Sequence, residues 1–259
     1  MLKSPGSFKF LGSVAYYAPP VIALVAFVIF WEIYTKAFEV SVFILPSPSR
    51  IFQAGVNLGP ALWGHTWTTL YEILLGFLVG NVTAVALAYA IVRWQMAERL
   101  IYPFLLASQT IPKLAVAPLL VIWFGTGVMP KVLVTALLCF FPTAVNVVQG
   151  LRSADPATVD LVRLVTPSKF VLFQKVQFPS AIPYFFAGLK ISMSSAVIGA
   201  IVAEWVGASK GLGYLILYAG TSMRTDLMFV GVGMTVVLGM MLYAAVGLLE
   251  RAFSWRREG

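Results

Sequence analysis

Six apolar runs, each long enough to cross a bilayer, decide what this chain can fold into. They cover residues 14–35, 66–92, 99–124, 130–150, 183–206 and 227–250. Crossing the hydrocarbon takes about 20 helical residues. Unpaired backbone groups are too costly there, so such runs span as helices. With 60% hydrophobic and 11% charged residues among 259, the chain holds more apolar surface than one soluble core absorbs. The expectation is an all-α, polytopic membrane protein, with one transmembrane domain over residues 1–259. The opening MLKSPGSFKF places basic residues ahead of an apolar run that ends without a small-residue cleavage site. That run reads as a retained first span.

The gaps carry the topology. Residues 36–63 hold LPSPSR and read as a turn and a short interfacial helix, and residues 93–99 form a tight basic loop. Counting Lys and Arg by side sets orientation. With the N-terminus inside, Lys3, Lys9, Arg93, Arg99, Arg152, Arg163, Lys169, Lys175, Arg251, Arg256 and Arg257 face the cytoplasm. Lys36, Arg50, Lys131, Lys210 and Arg224 face outward, and Lys113 and Lys190 fall inside spans. The excess favours both termini inside. It also explains the net charge of +8 without nucleic acid, because no basic, aromatic-interleaved polar surface is present to bind one.

Enzyme chemistry finds no footing. A single cysteine and a single histidine, Cys139 and His65, exclude a disulfide framework, a Cys-based metal site and a His cluster. Gly-Lys never occurs, so there is no phosphate-binding loop. The acidic residues are scattered, so catalytic residues and metal ligands are both expected to be absent. Asn81-Val82-Thr83 has the form of a glycosylation acceptor but lies inside a span. Gly76, Gly80, Ala84 and Ala88 share one face of the second span, and Ser195, Gly199 and Ala203 one face of the fifth. Small residues at this spacing allow close helix packing, more simply within one bundle than as a dedicated dimer seam.

Ionisable groups inside spans are costly and therefore informative. Lys113 sits in the third span beside Ser108, Gln109 and Thr110, and Pro103, Pro112 and Pro118 should kink or interrupt that span. This patch either faces a translocation pathway or holds a kink through carbonyls freed by Pro112. Lys190 is close enough to the membrane edge to snorkel. Glu72 lies two turns inside the second span with Lys113 or Lys190 as conceivable partners, and Glu204 reads as water-exposed near the end of the fifth. Met193 and Ser194 either line a pathway or pack in the core.

The long polar stretch between the fourth and fifth spans, residues 151–182, stands apart. It reads RSADPATVDLVRLVTPSKFVLFQKVQF from Arg152: a short helix from Asp155, a break at Thr166-Pro167-Ser168, and a second helix with Ser168 as N-cap, ended by Pro179 and Pro183. Apolar residues at helical spacing in a polar loop imply a partner surface. The stretch also resembles the cytoplasmic E-A-A motif of ABC importer permeases. Asp160-Leu161-Val162 stands in the E-A-A place, Thr166 in the glycine place, and Phe178-Pro179 with Pro183 at the close. The alanines and the glycine of that motif are replaced here. The flanks, Val197–Ile216 (VIGAIVAEWVGASKGLGYLI) and Ser108–Gly127 (SQTIPKLAVAPLLVIWFGTG), are similar to the nitrate/sulfonate/taurine branch.

The resemblance implies the type I ABC importer fold and a set of partners. These are two cytoplasmic ATPase subunits that hold ATP and Mg, a second permease copy or close homologue, and an external solute-binding protein. It makes the loop a coupling element: Phe170 and Phe173 as its apolar grip, with Asp160, Arg163 and Lys169 setting register around Thr166, Pro167 and Ser168. The substrates it suggests are thiamine-precursor pyrimidines or riboflavin-like heterocycles, with sulfonates, nitrate and aromatic carboxylates open. The competing reading is an ion-gradient-driven secondary transporter, which keeps its ionisable relay at the midplane and needs no docking loop.

Overall fold

The computed structural model describes residues 6–166 and 168–255. Pro167, and Lys3, Arg256 and Arg257 of the charge count, lie outside the described residues. Every regular element among these residues is helical, and the chain forms two compact units, Met1–Gly59 with Tyr218–Val230, and Pro60–Leu217 with Gly231–Gly259.

In the first unit α1 (Gly6–Ala37) leads through a turn to α2 (Pro48–Leu58). Pro48 opens α2 where its missing N–H costs nothing. The carboxylate of Glu32 on α1 accepts from the Ser49 backbone N–H at 2.9 Å and hydroxyl at 2.7 Å, satisfying an orphan donor at that helix start. Gly59, at φ +50°, ends α2 in a conformation that favours glycine.

The second unit is built on three long helices, α3 (Pro60–Arg93), α6 (Val128–Arg152) and α9 (Phe178–Gly207). The small-residue stripes are spent between them. A side chain at Gly80 would collide with the Ala136 carbonyl and come within 2.9 Å of the Cys139 Cβ; one at Gly76 would strike Thr135 on the same helix. Gly199 of α9 meets Thr135 from the other side. Close backbone approach replaces hydrophobic drive inside lipid. A buried polar knot pins the same helices: Asn81 accepts from Thr143 at 2.5 Å and from Ser192 at 3.1 Å. The Asn81 carboxamide is thus a packing group, not a glycan acceptor.

Between α3 and α6 the third apolar run is bent. α4 (Gln95–Ala107) ends in a 3-10 turn over Ser108–Thr110, a second turn spans Lys113–Val116, and α5 (Ala117–Phe124) follows. The two arms meet at 92°. Pro112 removes a donor and disfavours helical backbone at Ile111, which is extended at ψ 130°. Five helices are long and apolar enough to span, or six if the bent pair counts as one span.

The loop holds α7 (Pro156–Val165) and α8 (Lys169–Leu172), which continues through a π turn over Phe173–Gln177 directly into α9. Pro179 and Pro183 therefore do not end a helix, contrary to the sequence expectation. Pro179 occupies the first turn of α9, where it loses nothing, and the wider hydrogen bonding of the π turn lets the backbone pass it. α10 (Leu212–Thr221) and α11 (Thr225–Trp255) complete the chain.

Candidate functional site

Arg152 closes α6, its guanidinium 2.8 Å from the Glu98 carboxylate and 4.5 Å from the Tyr102 ring centre. The chain then turns into the loop. Asp155 caps α7: its carboxylate accepts from the Thr158 hydroxyl at 2.8 Å, the Thr158 N–H at 3.1 Å and the Ala157 N–H at 3.3 Å. These bonds, led by the Thr158 hydroxyl, hold the Asp155 carboxyl below its usual range. At the break, Thr166 Oγ1 accepts from the Ser168 N–H, and Ser168 Oγ accepts from the Val171 N–H, as an N-cap should.

The two short helices divide their apolar residues. Val159, Val162, Leu172 and Val176 close with Ala154 into a small core under the loop. Leu161, Leu164, Val165 and Phe170 point away from it and are 64%, 85%, 87% and 66% exposed. Four large apolar side chains on one polar loop form the kind of patch that marks an interaction surface. The expected grip is corrected in part. Phe170 faces out, but Phe173 is half-buried edge-on against Tyr89, with ring centres 4.9 Å apart, and packs on Phe178. Its place in the π turn rotates it toward α3. Leu161, Leu164 and Val165 take up the outward surface, and their spacing along α7 carried that signal in the sequence. Asp160 and Arg163 pair at 3.4 Å on an exposed face; Lys169 is exposed.

At the bent span, Ser108 and Thr110 donate to their own helix at Leu105 and Ala107, and Lys113 Nζ donates to the Gln109 carbonyl at 3.2 Å and lies 4.8 Å over the Phe141 ring. The lysine thus holds the kink, while the side chains of Gln109 and Thr110 stay exposed. On α9, Met193 is buried in the main core and Ser194 is exposed. The core cluster that holds Met193 includes none of Ser108, Gln109, Thr110 and Lys113.

The buried charges find partners that the sequence did not suggest. Glu72 pairs with Lys131 at 3.0 Å, both buried, so Lys131 is no outward surface charge and Glu72 meets neither Lys113 nor Lys190. Lys190 instead pairs with Glu250. Glu204 is 1% exposed, not water-exposed. One of its oxygens accepts from the Thr69 hydroxyl at 2.6 Å. The other accepts from the Gly213 N–H at 2.5 Å and the Tyr214 N–H at 3.3 Å. Leu212 N–H donates to Thr69 Oγ1 at 2.7 Å, and Gly211 N–H to His65 Nδ1 at 3.1 Å. The carboxyl oxygen here satisfies orphan donors that open α10. Gly211, at φ +122°, and Gly213 leave room for the carboxylate, since a Cβ on either would run into it. No group of three or more His, Cys, Asp or Glu that could hold a metal ion occurs among the described residues.

The family described as "Binding-protein-dependent transport system inner membrane component" matches residues 72–255. The chain is 35% identical over 241 residues to the "Formylaminopyrimidine transport permease protein ThiX" of Halalkalibacterium halodurans, covering 92% of this chain and 96% of that protein. It is 31% identical over 259 residues to the "Putative aliphatic sulfonates transport permease protein SsuC" of Bacillus subtilis, covering 99% and 92%. Among solved structures, the "Crystal structure of an amino acid ABC transporter with histidines" superposes with a TM-score of 0.64 at 16% identity, covering 78% of this chain and 98% of that one.

Proposed function

This chain belongs to the family of inner membrane components of binding-protein-dependent transport systems, and from that premise we propose that it forms the translocation pathway of an ATP-driven importer. It is a multi-pass membrane protein of the nitrate/sulfonate/taurine branch with the type I ABC importer fold. In the proposed assembly two copies, or one copy and a close homologue, share the pathway. The loop and both termini face the cytoplasm of a bacterial cell, as the Lys and Arg count favours. Two ATPase subunits carry Mg-ATP and all of the hydrolytic chemistry, and an external binding protein delivers the solute.

The observation that carries this reading is the outward apolar face of the loop: Leu161, Leu164 and Val165 on the short helix capped by Asp155, and Phe170 on the one capped by Ser168. The second half of the loop, α8 and its π turn, runs without interruption into α9, so a force on it tilts a long helix of the bundle. ATP binding closes the ATPases, draws the loops together and opens the pathway outward; hydrolysis resets it. Gln109, Thr110 and Ser194 are the groups proposed to meet the solute, with Ser108 and Lys113 shaping the bend between them. The solute is a small pyrimidine-type heterocycle, by likeness to the formylaminopyrimidine permease.

Co-purification tests the reading. A tagged native chain should bring down an ATP-binding subunit, and the Arg163→Glu, Lys169→Glu double variant should lose it. Loss of ATP dependence for uptake, with no ATPase recovered from mild detergent, overturns it in favour of a gradient-driven transporter.

A further inference from the structure

Between the loop and the end of α3 lies a cavity of about 420 Å³. Arg93, Gln95, Arg163, Ser168, Lys169 and Phe173 are among its walls, and none of its lining residues is acidic. Arg163 shares its charge with exposed Asp160 at 3.4 Å, a contact of little strength. Arg93 and Lys169 have no acidic partner among the described residues. Three cations lining one space, without a carboxylate in its wall, call for an anion.

A second cavity, of about 400 Å³, lies in the same unit and has only apolar side chains in its wall, including Val85, Val147, Ile182, Leu189 and Leu249. Its depth is readable from α3: Val85 precedes Arg93 by eight residues, roughly 12 Å of helix. That places it in the hydrocarbon, beneath a cationic cavity at the interface. Phe173 lines both cavities, and it sits in the π turn, a backbone irregularity that often accompanies a functional site. A free phosphate has use for the first cavity only, and a neutral apolar molecule for the second only. An amphiphile with an anionic head and an acyl tail fills both.

The geometry points to a binding site for an anionic phospholipid of the leaflet on the loop side. Its phosphate lies among Arg93, Arg163 and Lys169, and one acyl chain passes Phe173 into the apolar cavity. Basic pockets between spans are suited to such head groups. The lipid stands between the loop and α3, so its occupancy sets how firmly the loop is seated on the spans. This inference does not depend on which partner the loop meets.

The test is native mass spectrometry of the full chain, purified in detergent and stripped of lipid. It is titrated with phosphatidylglycerol and with phosphatidylcholine of identical chains. One phosphatidylglycerol should bind per chain in preference to phosphatidylcholine. Arg93→Gln with Lys169→Gln should weaken it about thirtyfold, and Arg93→Gln alone about fivefold; the single change, at an exposed helix end, serves if the double variant does not fold. Val85→Phe, which fills the apolar cavity, should weaken long-chain phosphatidylglycerol and leave its dihexanoyl form unaffected. Equal binding of the two long-chain lipids, or no effect of Arg93→Gln, overturns the site. Inorganic phosphate competing as tightly as phosphatidylglycerol, with Val85→Phe silent, makes it a free-anion site and overturns the lipid assignment.

Discussion

Replacing Glu204 should release the start of α10 in a graded way. In Glu204→Ala the Gly213 and Tyr214 N–H groups lose their acceptor inside a closed site, while the Thr69 hydroxyl keeps a second acceptor, the His65 carbonyl at 3.3 Å. The buried Gly213 donor and the part-buried Tyr214 donor cost about 1–3 kcal/mol each, so the truncation costs about 4 kcal/mol. Glu204→Gln keeps one oxygen for the two N–H groups. Its amide can donate to Thr69 Oγ1 once that hydroxyl turns toward His65, so the bonds are rearranged rather than removed, at about 1 kcal/mol. For a chain of this size 1 kcal/mol moves the melting temperature by about 2–4 °C. The Gln variant should then melt about 3 °C lower in detergent and the Ala variant about 12 °C lower. Hydrogen exchange at Gly213 and Tyr214 should accelerate far more in the Ala variant than exchange within α6. Equal melting shifts for the two variants, or unchanged exchange at those amides, would refute the role given to Glu204.

The Lys131–Glu72 pair makes a second prediction. Lys131→Met leaves a buried carboxylate without its cation and should cost about 3–5 kcal/mol, whereas Lys131→Met combined with Glu72→Leu should recover most of the loss in the same melting assay. A third concerns pH and the loop. The Asp155 carboxyl titrates lower when α7 is formed than when it is not, so its cap contributes fully above the ordinary aspartate range and is lost as pH falls through the lowered value. Protection of the Ala157 and Thr158 amides, corrected for intrinsic exchange, should fall on acidification in the native chain and be flat in Asp155→Ala.

Much of this architecture can be read from residues alone, because bilayer length and small-residue spacing are local properties. The run over 130–150 announces α6 by its apolar length, and Gly76 and Gly80 announce the face it meets. The three prolines of 99–124 announce a break, though not a 92° bend, which depends on where the arms find packing. Long-range pairing is what the sequence hides. Lys131 and Glu72 are 59 residues apart, and Lys131 looks like any loop lysine until α3 and α6 are laid side by side. Glu204 looks solvated because two of its partners are backbone N–H groups, which have no letter in a sequence, and the third, Thr69, is 135 residues away; Gly211 and Gly213 are the available hint. Phe173 is turned toward Tyr89 rather than outward beside Phe170, an orientation hidden in the sequence because the π turn changes the helical period by one residue. Pro179 was misread as a stop because a proline in a first turn and a proline after a last turn look alike.

The central claim is that the outward face of α7 meets an ATPase. The most direct measurement is photo-crosslinking from position 164, with a benzophenone amino acid in place of Leu164, in membranes holding the assembled transporter. The account predicts an adduct with an ATP-binding subunit, absent when the same group replaces the inward-facing Val162. An adduct with lipid alone from position 164, or adducts of equal yield from both positions, would contradict it.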